Sequence, residues 1–454
     1  MIKKFGFLMM LCMMLSLSAR AQNIEYDEYD LDNGLHVILH QDNSTPIVTV
    51  SVLYHVGSKN EPEGRTGFAH FFEHLMFEGS PNIGRGEYFK IIEAAGGSLN
   101  ANTSPDRTYY FQTLPSNQLE LGLYMESERM LHAKIDSTGI ATQKEVVKEE
   151  KRQGVDNQPY GTLLEKMLKN AYGGTNYEWS PIGSFEDIDA ATDQDFVDFY
   201  ETFYVPNNAT LSIAGDFETE EAKKLIEAYF GEIKRGTKTI PRPLITAPKL
   251  DGTVEETVFD NVQLPAVIQG YRMPKQGTED YYALQLVTQL LSGGQSSRFQ
   301  KVLVDEKRMA LGFQVVPLAL EDGGLFINFA VPNQGYEVAD LEKEMDVLVE
   351  ELKNELVPER EFQKLRNQIE NNFISGYGSV QSIAESLANY HVYFGDAALI
   401  NTEIERYRKV TREDLMKVAK KYFVPENKVV LTYRPKSEQE KPTDSKIKKE
   451  GGNN

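Results

Sequence analysis

Residues 192–208 read TDQDFVDFYETFYVPNN, and residues 411–427 read TREDLMKVAKKYFVPEN. Thr192 matches Thr411, Asp195 matches Asp414, Pro206 matches Pro425 and Asn208 matches Asn427, every pair 219 residues apart. In both copies a Thr stands where it can cap a helix, the helix runs to an aromatic pair, and a Val-Pro step stops it. A strand-like run follows each copy, ATLSIAG from Ala209 and KVVLTYR from Lys428. One such helix–stop–strand unit is common, but four matches at one offset are not. The spacing predicts two homologous domains, each about half of the mature chain.

The stretch KRGTKTIPRPLITAPKLDG, residues 234–252, has no strong period and reads as an ordered linker. It separates an N-terminal domain, residues 22–233, from a C-terminal domain, residues 253–435. Residues 436–454 are polar, lack aromatics and read as a disordered tail. The first domain opens with LDNGLHVILHQD, an Asn-Gly turn and an alternating run, and then the β-branched PIVTVSVLYHVGS. Helices and short strands then alternate, which predicts an α+β fold with mixed sheets and helices packed on one face.

The start of the chain is not expected to join either domain. Lys3 and Lys4 precede a short apolar run, Phe5 to Ser18, and Ala19-Arg20-Ala21 has the small-x-small form of a signal-peptidase site. Residues 1–21 are read as a cleaved export signal, with the mature chain beginning at Gln22. The only cysteine, Cys12, lies inside that signal, so no disulfide or thiol chemistry is expected afterwards. The predicted location is the periplasm. No later run is long and apolar enough to be a membrane span. A formal net charge of −20 makes nucleic acid a poor partner and a cationic peptide a better one.

Within residues 67–80, GFAHFFEHLMFEGS, two histidines and a glutamate crowd an otherwise apolar helix. His70 and His74 are four residues apart and so project from one helix face, where two imidazoles can share one Zn²⁺. Glu73 lies beside them, close enough to serve water at the ion. The pattern is H-x-x-E-H, the inverse of H-E-x-x-H. His36 and His40 share the spacing but sit in a β-type run and read as strand-face residues. His55, His132 and His391 read as isolated and structural. A third ligand must come from elsewhere. The run TQKEVVKEEKRQG, residues 142–154, is a candidate helix whose buried face is marked by Val146 and Val147. Glu150 joins that face, whereas Glu145 and Glu149 lie toward the flank.

Through HVGSKNEPEGRTGFAHFFEHLMFEGS and EVVKEEKR, the chain resembles the pitrilysin and mitochondrial processing peptidase family of zinc peptidases, the inverzincins. The resemblance spans nearly the whole mature chain. It implies one zinc per chain, a third ligand at Glu150, and Glu73 as general base in peptide-bond hydrolysis. GGSLNANTSPDRTYYF resembles the family's edge strand that pairs with substrate, which carries that role onto Asn100 and Ala101. Each half would be an α/β sandwich roll, and the two together one half of a clamshell enclosing unfolded polypeptide. Two departures stand out. Gln143 replaces a glutamate that in the family supports the third ligand. In LLSGGQSSRFQKVLVDEKRMALGF, Asp305 and Gly312 occupy the positions of an Arg and a Tyr that help hold substrate, and Arg308 is three residues out of register. That loss implies a homologous partner subunit that supplies the pair. It also leaves room for a catalytically silent helper subunit, or for a zinc-dependent peptide binder.

Overall fold

The repeat folds twice in the same way. Thr192 N–H donates to Asp195 Oδ2 at 2.8 Å, and Asp195 N–H donates back to Thr192 Oγ1 at 3.3 Å. Thr411 and Asp414 repeat the exchange at 3.0 and 3.2 Å. Such a box satisfies two helix-start amides at once. At the other end Asn208 Nδ2 donates to the Phe203 carbonyl at 2.8 Å, and Asn427 Nδ2 to that of Tyr422 at 2.9 Å. The matched residues are therefore the fastenings at the two ends of one helix, used twice.

The structure, a computed structural model, describes residues 23–439. The expected export signal and most of the polar tail lie outside the described residues. Six strands of the first half are β1 (Asp27–Asp30), β2 (His36–Gln41), β3 (Ile47–Tyr54), β4 (Ser98–Thr103), β5 (Thr108–Pro115) and β6 (Ala209–Gly215). They form one sheet in the order β1-β2-β6-β3-β5-β4. Five strands of the second half are β7 (Val254–Asp260), β8 (Ala266–Arg272), β9 (Ala310–Ala319), β10 (Gly324–Pro332) and β11 (Lys428–Pro435). Their order is β7-β11-β8-β10-β9. Without β1, the two orders correspond strand for strand, and in each the parallel pair is the same one, β2 with β6 and β7 with β11. The offset of 219 carries Ile47 onto Ala266 and Ala209 onto Lys428, the first residues of matched strands.

Nine helices matter for the packing: α1 (Phe68–Leu75), α2 (Leu119–His132), α3 (Ser137–Lys151), α4 (Leu163–Tyr172), α5 (Asp193–Phe203), α6 (Glu279–Ser292), α7 (Val338–Asn354), α8 (Val380–Phe394) and α9 (Arg412–Tyr422). One face of each sheet is covered by helices of its own half, α1, α2 and α5 on the first and α6, α7 and α9 on the second. The opposite faces are covered by exchange. Met167, Leu168 and Ala171 of α4 pack on Ile268, Val429 and Leu431 of the second sheet. Val380, Ile383, Ala384 and Leu387 of α8 pack on Ile38 and Ala214 of the first. Both faces of the central strands are thus dry, so β6 and β8 are buried along their whole length and lack the alternation of a half-exposed strand. The segment 234–252 has neither helix nor strand. It is nevertheless tied down, with Arg242 Nη1 donating to the His55 carbonyl at 2.8 Å and Ile245 N–H to Asp322 Oδ2 at 3.2 Å.

The halves also meet through two matched hairpin tips, residues 104–107 between β4 and β5 and residues 320–323 between β9 and β10. Lys59 Nζ sits among their carboxylates, 3.2 Å from Asp106 Oδ1 and 3.4 Å from Asp322 Oδ2, and ion-paired with Glu321. Glu321 N–H donates to Asp106 Oδ2 at 2.9 Å, closing the two tips on each other. Burial alone would lower the Lys59 pKa, but Asp106, Glu321 and Asp322 outweigh it and raise it. Burial likewise opposes ionisation of Glu321, yet His55 and Lys59 hold it down to about 2.

None of the three histidines read as isolated is so. His55 Nε2 pairs with Glu321 at 3.0 Å, and His132 Nδ1 with Glu128 at 3.1 Å. The His391 ring stacks on that of His36 with centroids 3.5 Å apart. Burial and the neighbouring His36 push His391 down to about 4. The partners of His55 and His391 lie far away in sequence, which is why spacing could not reveal them, whereas that of His132 stands one turn back on its own helix. No helix among the described residues is long and apolar enough to cross a membrane.

Candidate metal centre

Helix α1 is held by its apolar face. Phe68 stacks on Phe196 of α5 at 4.6 Å between centroids, and Phe72 on Phe199 at 5.3 Å. With Phe68, Phe71, Phe72 and Leu75 buried there, the helical period turns His70, Glu73 and His74 to the other side. The helix starts at Gly67, whose φ of 91° and whose contact with the Ile182 carbonyl admit no side chain. Having no cap of its own, the helix borrows one. Buried Glu61 accepts from Gly67 N–H at 2.9 Å, Ala69 N–H at 2.8 Å and Trp179 Nε1 at 3.0 Å. A carboxylate at the positive end of a helix is favourably placed.

Helix α3 brings Glu150 to the two histidines. His74 Nε2 lies 3.0 Å from Glu150 Oε2, and His70 Nε2 lies 3.5 Å from Glu150 Oε1. Hydrogen bonds from His70 and His74 hold Glu150 far below the usual carboxylate range. The face that delivers it is narrower than the sequence suggests. Val147 is buried, but Val146 is 42 % exposed. Glu150 therefore follows Val147, three residues on, and stands at the edge of solvent. Glu149 points outward and bonds Gln153 and Arg152.

The donor set fits a tetrahedral ion. Ligand atoms 2.0–2.1 Å from such a centre lie about 3.3 Å from one another, and the two observed separations bracket that value. Two imidazole nitrogens and one carboxylate are a zinc donor set, and three protein ligands leave a position open. Glu73 stays out of the cluster. Its Oε2 accepts from Thr103 Oγ1 of β4 at 2.7 Å, which fixes the carboxylate between the metal-binding face and that strand.

Strand β4 is the outer edge of the first sheet, and it carries Asn100 and Ala101. Ala101 N–H is bonded by Asn100 Oδ1 at 2.9 Å and so points away from β5. In an antiparallel ladder the N–H and C=O of one residue face the same way. The free edge beside Glu73 thus offers the backbone groups of Leu99, Ala101 and Thr103. Gln143 does not reach the metal face: its Nε2 donates to Glu78 Oε1. In the second half, Asp305 is exposed and accepts from Gln300 at 2.9 Å, while Gly312 lies on edge strand β9 with open space where a side chain would stand. Thr103, Glu61 and Trp179 escaped the sequence reading. Only the position of Glu61, six residues before the helix start, hinted at a borrowed cap.

Residues 36–183 match the model described as insulinase (peptidase family M16), and residues 190–369 match that of the peptidase M16 inactive domain. The zinc protease PqqE of Helicobacter pylori is 33 % identical over 423 residues, covering 92 % of this chain and 95 % of that protein. A crystal structure of a protease from Helicobacter pylori superposes with a TM-score of 0.86 at 32 % identity, covering 90 % of this chain and all of the other. The periplasmic protease PqqL of Escherichia coli superposes with a TM-score of 0.75 at 18 % identity, and this chain spans 48 % of it. The insulinase model thus falls on the half that carries His70, Glu73, His74 and Glu150, the inactive-domain model falls largely on the half that carries none of them, and the chain belongs to peptidase family M16.

Proposed function

We propose that this chain is a zinc endopeptidase that hydrolyses unfolded peptides held as an added strand along the free edge of β4. His70, His74 and Glu150 would hold one zinc ion. Zinc in such a site lowers the pKa of water to about 7 and polarises a carbonyl. Glu73 takes the proton of the attacking water and later delivers it to the leaving amine, as a positioned carboxylate can. Thr103 keeps Glu73 aimed, and the outward backbone groups at Ala101 pair with the peptide once Asn100 releases them. Recognition through backbone bonds gives affinity with little sequence preference. The observation that carries the reading is the convergence of two Nε2 atoms and one carboxylate at ligand separations, with a spare carboxylate beside them.

The test is metal content. Glu150→Gln should weaken zinc binding by more than roughly 100-fold, because even residues behind the ligands are worth 10–100-fold. Glu149→Gln should leave it unchanged. Equal loss in both variants would overturn the assignment of Glu150.

Export to the periplasm follows from the N-terminal signal pattern and is in keeping with the periplasmic PqqL. The chain spans about half of PqqL, which favours a second, similar half supplied by another subunit. Asp305 cannot donate to a substrate carbonyl as Arg does, and Gly312 offers no side chain. The partner is therefore a homologue that lacks H-x-x-E-H but keeps the Arg and Tyr. The purified chain should bind zinc yet cleave unfolded peptides slowly, with turnover rising at least roughly tenfold when that homologue is added. Full cleavage by the chain alone would exclude the partner. Zinc binding without turnover in the reconstituted pair would favour the silent helper.

A further inference from the structure

A second group of ligand-type side chains lies at the seam between the halves, outside the site described above. His36 opens β2, Glu28 is on the paired strand β1, and His391 reaches them from α8, the helix lent by the second half. Their candidate ligand atoms all fall within 4.8 Å of one another. His36 Nδ1 is bonded to Asp30 Oδ1 at 2.8 Å. That bond places the proton on Nδ1 and turns the Nε2 lone pair inward, the arrangement by which a carboxylate orients a metal-binding imidazole. His36 Nε2 is buried and has no hydrogen-bond partner. Glu28 Oε2 stands 3.4 Å from it, near enough for an ion pair but without hydrogen-bond geometry. This is the separation of two ligands on one tetrahedral ion, as at His70 and Glu150. His391 contributes the third ligand-type side chain, its ring 3.5 Å from that of His36 between centroids.

We infer that Glu28, His36 and His391 form a second site for a divalent cation of the zinc class, a clasp that joins the first sheet to the helix received from the other half. The two rings stack with planes 7° apart, so one ring must turn before in-plane lone pairs of both can meet at a single ion. Binding turns the His391 ring about its Cβ–Cγ bond until both lone pairs meet at one point, and Glu28 closes from solvent. The histidines and Glu28 suit zinc, copper or nickel better than magnesium or calcium, which prefer all-oxygen sites. None of the three residues belongs to the proposed catalytic machinery.

The experiment is a zinc titration of the full mature chain, with bound metal counted after gel filtration and circular dichroism recorded for every variant. The wild type should hold two zinc ions, and His391→Ala and His74→Ala one each. The double variant should hold none. Glu28→Gln, a change at an exposed residue that leaves the fold intact, should weaken the second ion by at least roughly tenfold. A single zinc whose loss follows His391 and not His74 would support the clasp and sink the proposed catalytic centre instead. A wild type with one zinc that His391→Ala leaves in place would overturn the clasp. So would two ions that survive both His391→Ala and Glu28→Gln.

Discussion

Glu73→Gln should keep its zinc and lose nearly all turnover. The substitution preserves shape and volume, and its amide oxygen can still accept the Thr103 bond that now holds Glu73 Oε2 at 2.7 Å. The three groups that converge as ligands are untouched, since Glu73 is not among them. What disappears is a site for the proton. A positioned general base contributes roughly 10²–10⁴ in rate, which is about 3–5 kcal/mol of barrier. The measurement pairs kcat on a quenched unfolded peptide, in the presence of the complementing homologue, with zinc content of the same sample. Turnover within a factor of about three of wild type would remove Glu73 from the proton transfer.

Lys59→Met should destabilise the fold strongly although it removes nothing from the hydrophobic core. The lysine side chain is 3 % exposed and its ammonium is set among Asp106, Glu321 and Asp322. Methionine fills most of the same volume, so the loss is one of charge. Removing one partner of a buried ionic network costs about 3–5 kcal/mol, because the groups left behind stay desolvated and unpaired. Lys223 provides the contrast. It also pairs with two carboxylates, Asp27 and Glu220, but at the surface, where water screens the charges, and Lys223→Met should leave the unfolding midpoint nearly unchanged. Urea unfolding of both variants checks the pair. Equal midpoints would mean that water reaches the Lys59 network and that the hairpin tips are not locked by it.

The parts of this molecule that local chemistry writes were legible in the sequence. The capping boxes at Thr192 and Thr411 need residues three apart, and His70, Glu73 and His74 need one helical turn. The place of Glu150 beside the two histidines was legible because a helix face can be drawn from a few residues, although exposed Val146 makes that face narrower than it reads. Illegible were the arrangements whose members lie far apart. Lys59, Asp106 and Glu321 each look like loop residues made for solvent, and only the meeting of two hairpin tips buries them. His36 and His391 are separated by most of the chain, and neither has a neighbour in sequence that marks it. Nor could the sequence show which sheet α4 and α8 pack on, because amphipathicity states how much surface needs covering and not by what.

The exchange of α4 and α8 limits how the two halves can be separated or recombined. A contiguous fragment ending near residue 233 would leave Ile38 and Ala214 bare where α8 now lies, and would carry α4 with nothing to rest on. The remaining fragment would mirror the defect. Each piece would show an apolar sheet face of the kind that drives association, so neither is an autonomous folding module despite the clear repeat. For anyone building chimaeras between relatives, the exchangeable unit is a sheet together with its borrowed helix, which is discontinuous in the gene.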